Sequence, residues 1–282
     1  MKKRYIITSI LCFVFWYPQI ALSDYIFTAP PRESLEKGNR VYKPISEYLT
    51  KVTGERFIYE HPDNWEEYSS KMHAEHYDLL FDGPHFVDWR IKNLGHEALI
   101  KLPQLFRFRI IARKDNPSIS SLKDIPGKTA CAPGTPNFGM LSMFSHFTDP
   151  NKQPRHIKVK GWGNVYQAVL SNKCDVGVLP KTSLAKFEKD VNNVKVLHTH
   201  LPYPGQGFTA GRRMSPKLID TVLKALLSDD GQVALMNLRK RYAAGEELIK
   251  ANSEEYDGVR FVLKRASNFK FEKDIDLPLA KN

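Results

Sequence analysis

The chain has 282 residues, with 42 Lys and Arg against 31 Asp and Glu, a formal net charge of +11 and 42% hydrophobic residues. That length allows two lobes with substantial cores, and no internal repeat or low-complexity tract interrupts them. The basic residues are scattered apart from short clusters such as Arg212-Arg213 and Arg239-Lys240-Arg241, with no accompanying nucleic-acid motif, so nucleic acid is excluded as a partner.

Lys2-Lys3-Arg4, an apolar stretch from about Tyr5 to Trp16, and Ala21-Leu22-Ser23 before Asp24 supply the three parts of a secretory signal. The apolar run is short for an uncleaved anchor. Cys12 lacks the small residue expected before a lipoprotein cysteine. Residues 1–23 are therefore expected to be a signal peptide cleaved near Ser23, which makes the chain a soluble exported protein. Its removal takes away three basic residues and no acid, lowering the formal charge to +8. A basic exported protein favours anionic small molecules or an anionic surface, or nothing in particular. Of the two remaining cysteines, Cys131 and Cys174 either form one disulfide or are separate small core residues.

Tyr25 to Thr28 reads as a first strand, followed by a polar loop from Ala29 to Asn39. A helix follows over Val41 to Val52, where Val41, Tyr42, Ile45, Tyr48, Leu49 and Val52 make one apolar stripe and Gly54 ends it. Arg56 to Tyr59 is a second strand, Trp65 to His76 a helix, and Tyr77 to Phe81 a buried strand. Gly83-Pro84 then marks a tight exit with Pro in the first turn of the next helix, through Leu94. Such a strand-to-helix corner aims unpaired backbone N–H groups forward, a geometry suited to an anion; an ordinary turn without ligand is the alternative.

From Leu105 the pattern alternates, giving a half-exposed strand to Arg113 ended by Asn116-Pro117. The short helix SLKDIPG, a strand from Lys128 to Ala132, the loop Pro133 to Asn137 and a helix from Phe138 to Phe147 follow. Next come a strand from His156 to Val159, a helix from Trp162 to Leu170 and a buried strand from Cys174 to Leu179. After Pro202-Tyr203-Pro204-Gly205, a strand from Gly207 to Gly211 leads into helices over Pro216 to Leu227 and Gly231 to Tyr242. Alternating strands and helices point to doubly wound, mostly parallel sheets. The strands near 105–113 and 203–211 are natural crossings between two lobes. One lobe then comprises 24–106 plus 206–282, and the other 107–205.

In this order, RESLEKGNRVYKPISEYLTKVTG, YDLLFDGPHFV, SLKDIPGKTACAPGTPNFG, WGNVYQAVLSNKCDVGVLP and PYPGQGFTAGRRMSP resemble the phosphate/phosphonate-type periplasmic solute-binding proteins of ABC importers. The resemblance implies a type II periplasmic-binding fold, with two α/β lobes joined by two crossing strands and a ligand between them. It also implies closure on binding, a membrane permease as partner, a periplasmic location, no cofactor and no enzymatic activity. A monomer is expected.

By position, the resemblance places a small anionic solute on Gly83, Pro84 and His85 and on Thr135, Pro136 and Asn137, with Tyr42 as a third element. The alternative is that Thr135 or Asn137 serves only as a helix cap and Tyr42 only as core. His85 stands where members often carry Tyr and can itself donate to an anion. Lys181 stands where aminophosphonate binders often carry a carboxylate, which argues against a ligand bearing an amine. Metal chemistry is a weaker alternative: His73 and His76 could share one helix face, against the alternative of an ordinary exposed helix, and His198-x-His200 is similarly weak. No Gly-x-Ser-x-Gly elbow, His-Glu-x-x-His or paired-carboxylate pattern supports a hydrolase. A sensor or assembly module built on the same fold would bind a protein instead.

Overall fold

The computed structural model describes residues 24–265 apart from Thr148, so the signal-peptide reading of 1–23 lies outside the described residues. In chain order the elements begin with β1 (Tyr25–Thr28), α1 (Leu35–Thr53), β2 (Phe57–Glu60), α2 (Trp65–His73), β3 (Leu79–Asp82), α3 (Pro84–Leu94) and β4 (Glu97–Lys101). The chain then crosses into β5 (Phe108–Arg113), β6 (Thr129–Ala132), α4 (Phe138–Phe144), β7 (Arg155–Lys158), α5 (Trp162–Leu170), β8 (Val176–Pro180), α6 (Lys181–Phe187) and β9 (Val194–Thr199). It returns through β10 (Gly207–Ala210) to α7 (Pro216–Leu227), α8 (Asp229–Ala234), α9 (Met236–Tyr242) and β11 (Ile249–Lys250).

Two sheets result, one ordered β11-β4-β10-β3-β1-β2 and the other β7-β6-β8-β5-β9. Each has a parallel heart, β2-β1-β3 in the first and β7-β6-β8 in the second, extended by antiparallel strands. The antiparallel members include β10 and β5, the strands that carry the chain across between lobes. Segments 102–107 and 200–206 run side by side: Phe106 and Tyr203 exchange both backbone hydrogen bonds, at 2.8 and 2.9 Å, and Leu102 N–H donates to Gln206 O at 2.8 Å. A Cβ on Gly205 would lie 2.3 Å from Leu102 O, so this close approach of backbones requires glycine.

Helix α1 starts at Leu35, six residues before the predicted Val41. Its first turns are exposed and polar and so carry no apolar stripe, but Ser34 caps them, accepting from Lys37 N–H. Pro44 lies within the helix and cannot bond the Arg40 carbonyl; Asn237 Nδ2 donates to that oxygen at 2.9 Å instead. α2 ends at His73, with Glu75 in the left-handed region, so His73 and His76 do not share a helix face. Strands β4, β9 and β11 and helix α6 lie outside the elements the sequence predicts, and the single helix expected over Gly231 to Tyr242 is two, α8 and α9, divided at Leu235.

Tyr42, Ile45, Leu49, Phe81 and Phe208 pack in the first lobe's core, while Ile111, Val165, Val169 and Leu179 surround Cys131 and Cys174 in the second. Those two cysteines form a disulfide, with Cα atoms 5.8 Å apart. A further cluster spans both lobes, from Phe86 and Trp89 of α3 through Phe138 and Leu141 of α4 to Val259, Val262 and Leu263. The last three belong to a 3-10 helix, Val259–Arg265, anchored to α3 where Arg260 meets the buried Asp88 at 3.1 Å.

Candidate functional site

In an open α/β sheet the ligand site lies beyond the carboxyl ends of the strands. Here β1 ends in the turn leading to Arg32, β2 in His61, β3 in Gly83-Pro84-His85, and β6 in the loop to Asn137. The corner after β3 forms as the sequence predicts: Gly83 is the N-cap, Pro84 occupies the first turn, and no side chain caps α3. Asp82, just before it, is fully buried and receives Arg90 through two bonds, at 2.7 and 2.9 Å, with Tyr68 donating as well. Its carboxylate is thus already engaged.

His85 lies between the lobes. Its Nε2 is 3.1 Å from the Pro136 carbonyl oxygen, its ring lies 4.9 Å from that of Phe138, and its Nδ1 is buried without a partner. The Gly83–His85 corner and the Thr135–Asn137 loop, 51 residues apart in sequence, therefore meet at this contact. Burial pushes His85 down to about 4; the Asp82 carboxylate and the Pro136 contact oppose that, and the Arg32 and Arg90 charges add to it. The ring is neutral at pH 7, so it donates from one nitrogen and accepts at the other.

The other expected site residues divide. Asn137 caps α4, accepting from Gly139 N–H at 3.0 Å, and Thr135 is exposed. Tyr42 is fully buried, its hydroxyl 3.1 Å from that of Tyr242. Lys181 is exposed at the start of α6, where its backbone N–H donates to Arg107 O. His73 Nδ1 donates to Ser69 O, and His76 Nε2 lies 3.0 Å from Glu60, so the two rings face different partners.

Arg32 is not among the residues the sequence predicts, yet it is the most unusual group here. Its Nη1 donates to Gln206 Oε1 and its guanidinium lies 5.0 Å from the centre of the Tyr242 ring, but Nε and Nη2 are buried without partners. Arg32 forms no ion pair among the described residues. The neighbouring acids are committed: Asp82 to Arg90, and Glu33 to Arg241 at 3.0 Å and Tyr242 at 2.7 Å. Burial alone would raise the Glu33 carboxyl, but the Tyr242 and Arg241 hydrogen bonds outweigh it and hold it below its ordinary range. Tyr59 adds a hydroxyl close by, 2.9 Å from His61 Nδ1, with its ring 5.2 Å from that of Tyr42. A buried cation with two idle donors and no acid is complementary to an anion.

The sequence signal for Arg32 is its place, two residues ahead of the helix-capping Ser34 at the carboxyl end of β1. An expected helix start at Val41 hides it in the middle of a long loop.

Two mixed sheets joined by paired crossing segments, with polar groups converging where their strands end, define a two-lobed solute-binding protein of the type II periplasmic class. A family model described as "ABC transporter, phosphonate, periplasmic substrate-binding protein" matches residues 27–259. The chain belongs to that family, whose members bind small ligands in the periplasm and serve ABC permeases. Among solved structures, it is similar to a Xanthomonas citri protein bound to ATP, at TM-score 0.68 and 15% identity, covering 86% of this chain and 99% of that one. PhnD1 from Prochlorococcus marinus, in complex with methylphosphonate, gives 0.63 and 13%, covering 87% and 99%. A binding protein component of a phosphonate transporter from Pseudomonas aeruginosa gives 0.60 and 14%, with 85% of each chain covered. No curated protein matches the sequence.

Proposed function

We propose that this protein is the periplasmic receptor of an ABC importer and captures a small phosphorus oxyanion (phosphate, phosphite or a simple phosphonate) between lobes bounded near residues 106 and 206. The observation that carries this reading is Arg32, whose buried Nε and Nη2 have no partner and no carboxylate to balance them. A phosphoryl group accepts two parallel N–H bonds from a guanidinium fork. The start of α3 carries no side-chain cap, and His85, whose Nε2 donates to the Pro136 carbonyl, keeps an Nδ1 lone pair that accepts only from a protonated phosphoryl oxygen. Methylphosphonate and ATP, the ligands of two similar structures, both present phosphoryl oxygens.

The committed state of Asp82 and Glu33 supports a ligand without an amine, as does Lys181 at the start of α6. The N-terminal leader reading makes Asp24 the first residue of the exported chain. Thermal unfolding with phosphate, phosphite, methylphosphonate and 2-aminoethylphosphonate tests the proposal. Ligand at a hundred times its dissociation constant adds about 2.7 kcal/mol. A shift from one of the first three that exceeds the aminophosphonate's supports the reading; no shift from any of them, with sulfate as control, removes it.

A further inference from the structure

The second lobe brings together three histidines, none of them among the candidate anion-site residues. His146 follows α4, while His198 and His200 stand two apart at the end of β9, and each offers a ring nitrogen within 4.8 Å of the others. Ring centres lie 4.4 Å apart for His146 and His198, 4.6 Å for His146 and His200, and 5.0 Å for His198 and His200.

A β-bulge assembles them. Ile111 pairs with Val196 but Ile110 pairs with His198, so Leu197 is an extra residue on β9. Without it, His198 would share a face with Val196 and Ile111, toward the disulfide-centred core. The bulge moves His198 to the face of Ile110, and His200 follows two residues later, its N–H donating to Phe108 O at 3.0 Å. Phe108 and Ile110 are the side of the sheet on which α4 packs, and His146 leaves the end of α4 above them.

His146 Nε2 and His200 Nδ1 are 3.2 Å apart. Two nitrogens bound at 2.0–2.1 Å to a tetrahedral ion are roughly 3.3 Å apart, so a metal fits this pair with little movement. His200 is 3% exposed, and its Nδ1 faces His146 Nε2 in a ring-to-ring contact that an ion bound to both nitrogens would replace. His146 is exposed and gives solvent access.

We propose that His146, His198 and His200 bind one borderline divalent transition ion, of the Zn²⁺, Cu²⁺ or Ni²⁺ class, with an open fourth position. Three imidazoles are the donor set such ions prefer, and hard cations such as Mg²⁺ and Ca²⁺ are excluded by the absence of an oxygen ligand in the trio. The site joins the end of α4 to the first residue of crossing segment 200–206, so an ion there ties the second lobe to its own hinge. The proposal does not depend on the anion site.

The test uses the tag-free exported chain, Zn²⁺ in competition with a chromophoric chelator, and Co²⁺ absorption as a geometric probe. The expected result is one Zn²⁺ per chain, with Co²⁺ bands of tetrahedral intensity. His146→Ala, an exposed change compatible with folding, weakens binding at least about tenfold, as losing even an outer-shell partner does. His200→Asn does the same where it folds, whereas the pair His73→Ala/His76→Ala leaves binding unchanged. Absence of Zn²⁺ binding by the unaltered chain overturns the proposal. So does full binding by His146→Ala, or loss of binding in the His73/His76 variant instead.

Discussion

Arg32→Met is the most searching perturbation of the anion reading, because it moves binding and stability differently. In the bound state the two idle donors, Nε and Nη2, would each make a charge-assisted bond to the ligand. Such bonds contribute about 1.5–3 kcal/mol each, so losing both costs about 3–6 kcal/mol, a factor of roughly 10²–10⁴ in dissociation constant. In the free protein the substitution removes the bond to Gln206 and the stacking on Tyr242, about 1–2 kcal/mol apiece. It also removes a buried cation whose desolvation costs several kcal/mol, and methionine retains most of the stem's apolar contact. The opposing contributions nearly cancel, leaving a change under about 2 kcal/mol. Calorimetry with phosphate or methylphosphonate and urea unfolding without ligand separate the two quantities. Arg32→Lys, which keeps the charge but loses the planar fork, falls between. Anion affinity within threefold of the parent, or a loss of stability above about 3 kcal/mol with binding intact, refutes the reasoning and makes Arg32 a structural residue.

Gly83→Ala is sterically costly although its backbone tolerates alanine: the new Cβ meets the His85 ring at 2.7 Å and pushes it off Pro136, so ligand affinity falls while far-UV circular dichroism stays unchanged. His85 titrates near 4 when buried and near 6.5 when exposed, so the folded form binds its proton less readily. Its contribution is therefore complete above about pH 6.5 and declines toward pH 4, by at most about 1.4 kcal/mol per pH unit; urea midpoints of the parent minus those of His85→Gln follow that slope, and a flat difference refutes it. Arg90→Met leaves the fully buried Asp82 carboxylate unpaired and destabilises the fold by about 3–5 kcal/mol, measured by denaturant unfolding. Reducing Cys131–Cys174 releases a loop with a sequence separation of 43, worth about 4 kcal/mol in the chain-entropy model, and lowers the melting temperature with no change in ligand affinity.

Parallel strands such as β3 and β8 were legible because they are short apolar runs with glycine or proline exits, and α5 coincides with its prediction because periodicity and boundaries agree there. α1 was legible only in part. Its stripe begins at Val41, whereas its start is set by the Ser34 cap, and a polar first turn carries no periodic signal. β9 escaped for a different reason: its bulge breaks the alternation on which strand recognition relies, and the same bulge turns His198 toward His146. Residue spacing alone offered His73 and His76 as a pair, because it could not show that Glu75 turns the chain away one residue past the cap.

The candidate anion site follows the same division between local and long-range information. Gly83, Pro84 and His85 are visible as a corner because their geometry is decided within five residues. That His85 meets Pro136 depends on how the crossing segments 102–107 and 200–206 pair, a contact between parts of the chain about a hundred residues apart. The significance proposed for Arg32 is longer in range still, since a surface arginine and one with buried, unpartnered donors have the same sequence appearance. What distinguishes them is where the neighbouring acids are engaged. Arg90 holds Asp82 and Arg241 holds Glu33, so the two carboxylates that could have neutralised Arg32 from within are occupied. On the proposed reading the charge that completes the site comes from outside the chain, and a phosphorus oxyanion has both the sign and the bidentate oxygen spacing to supply it.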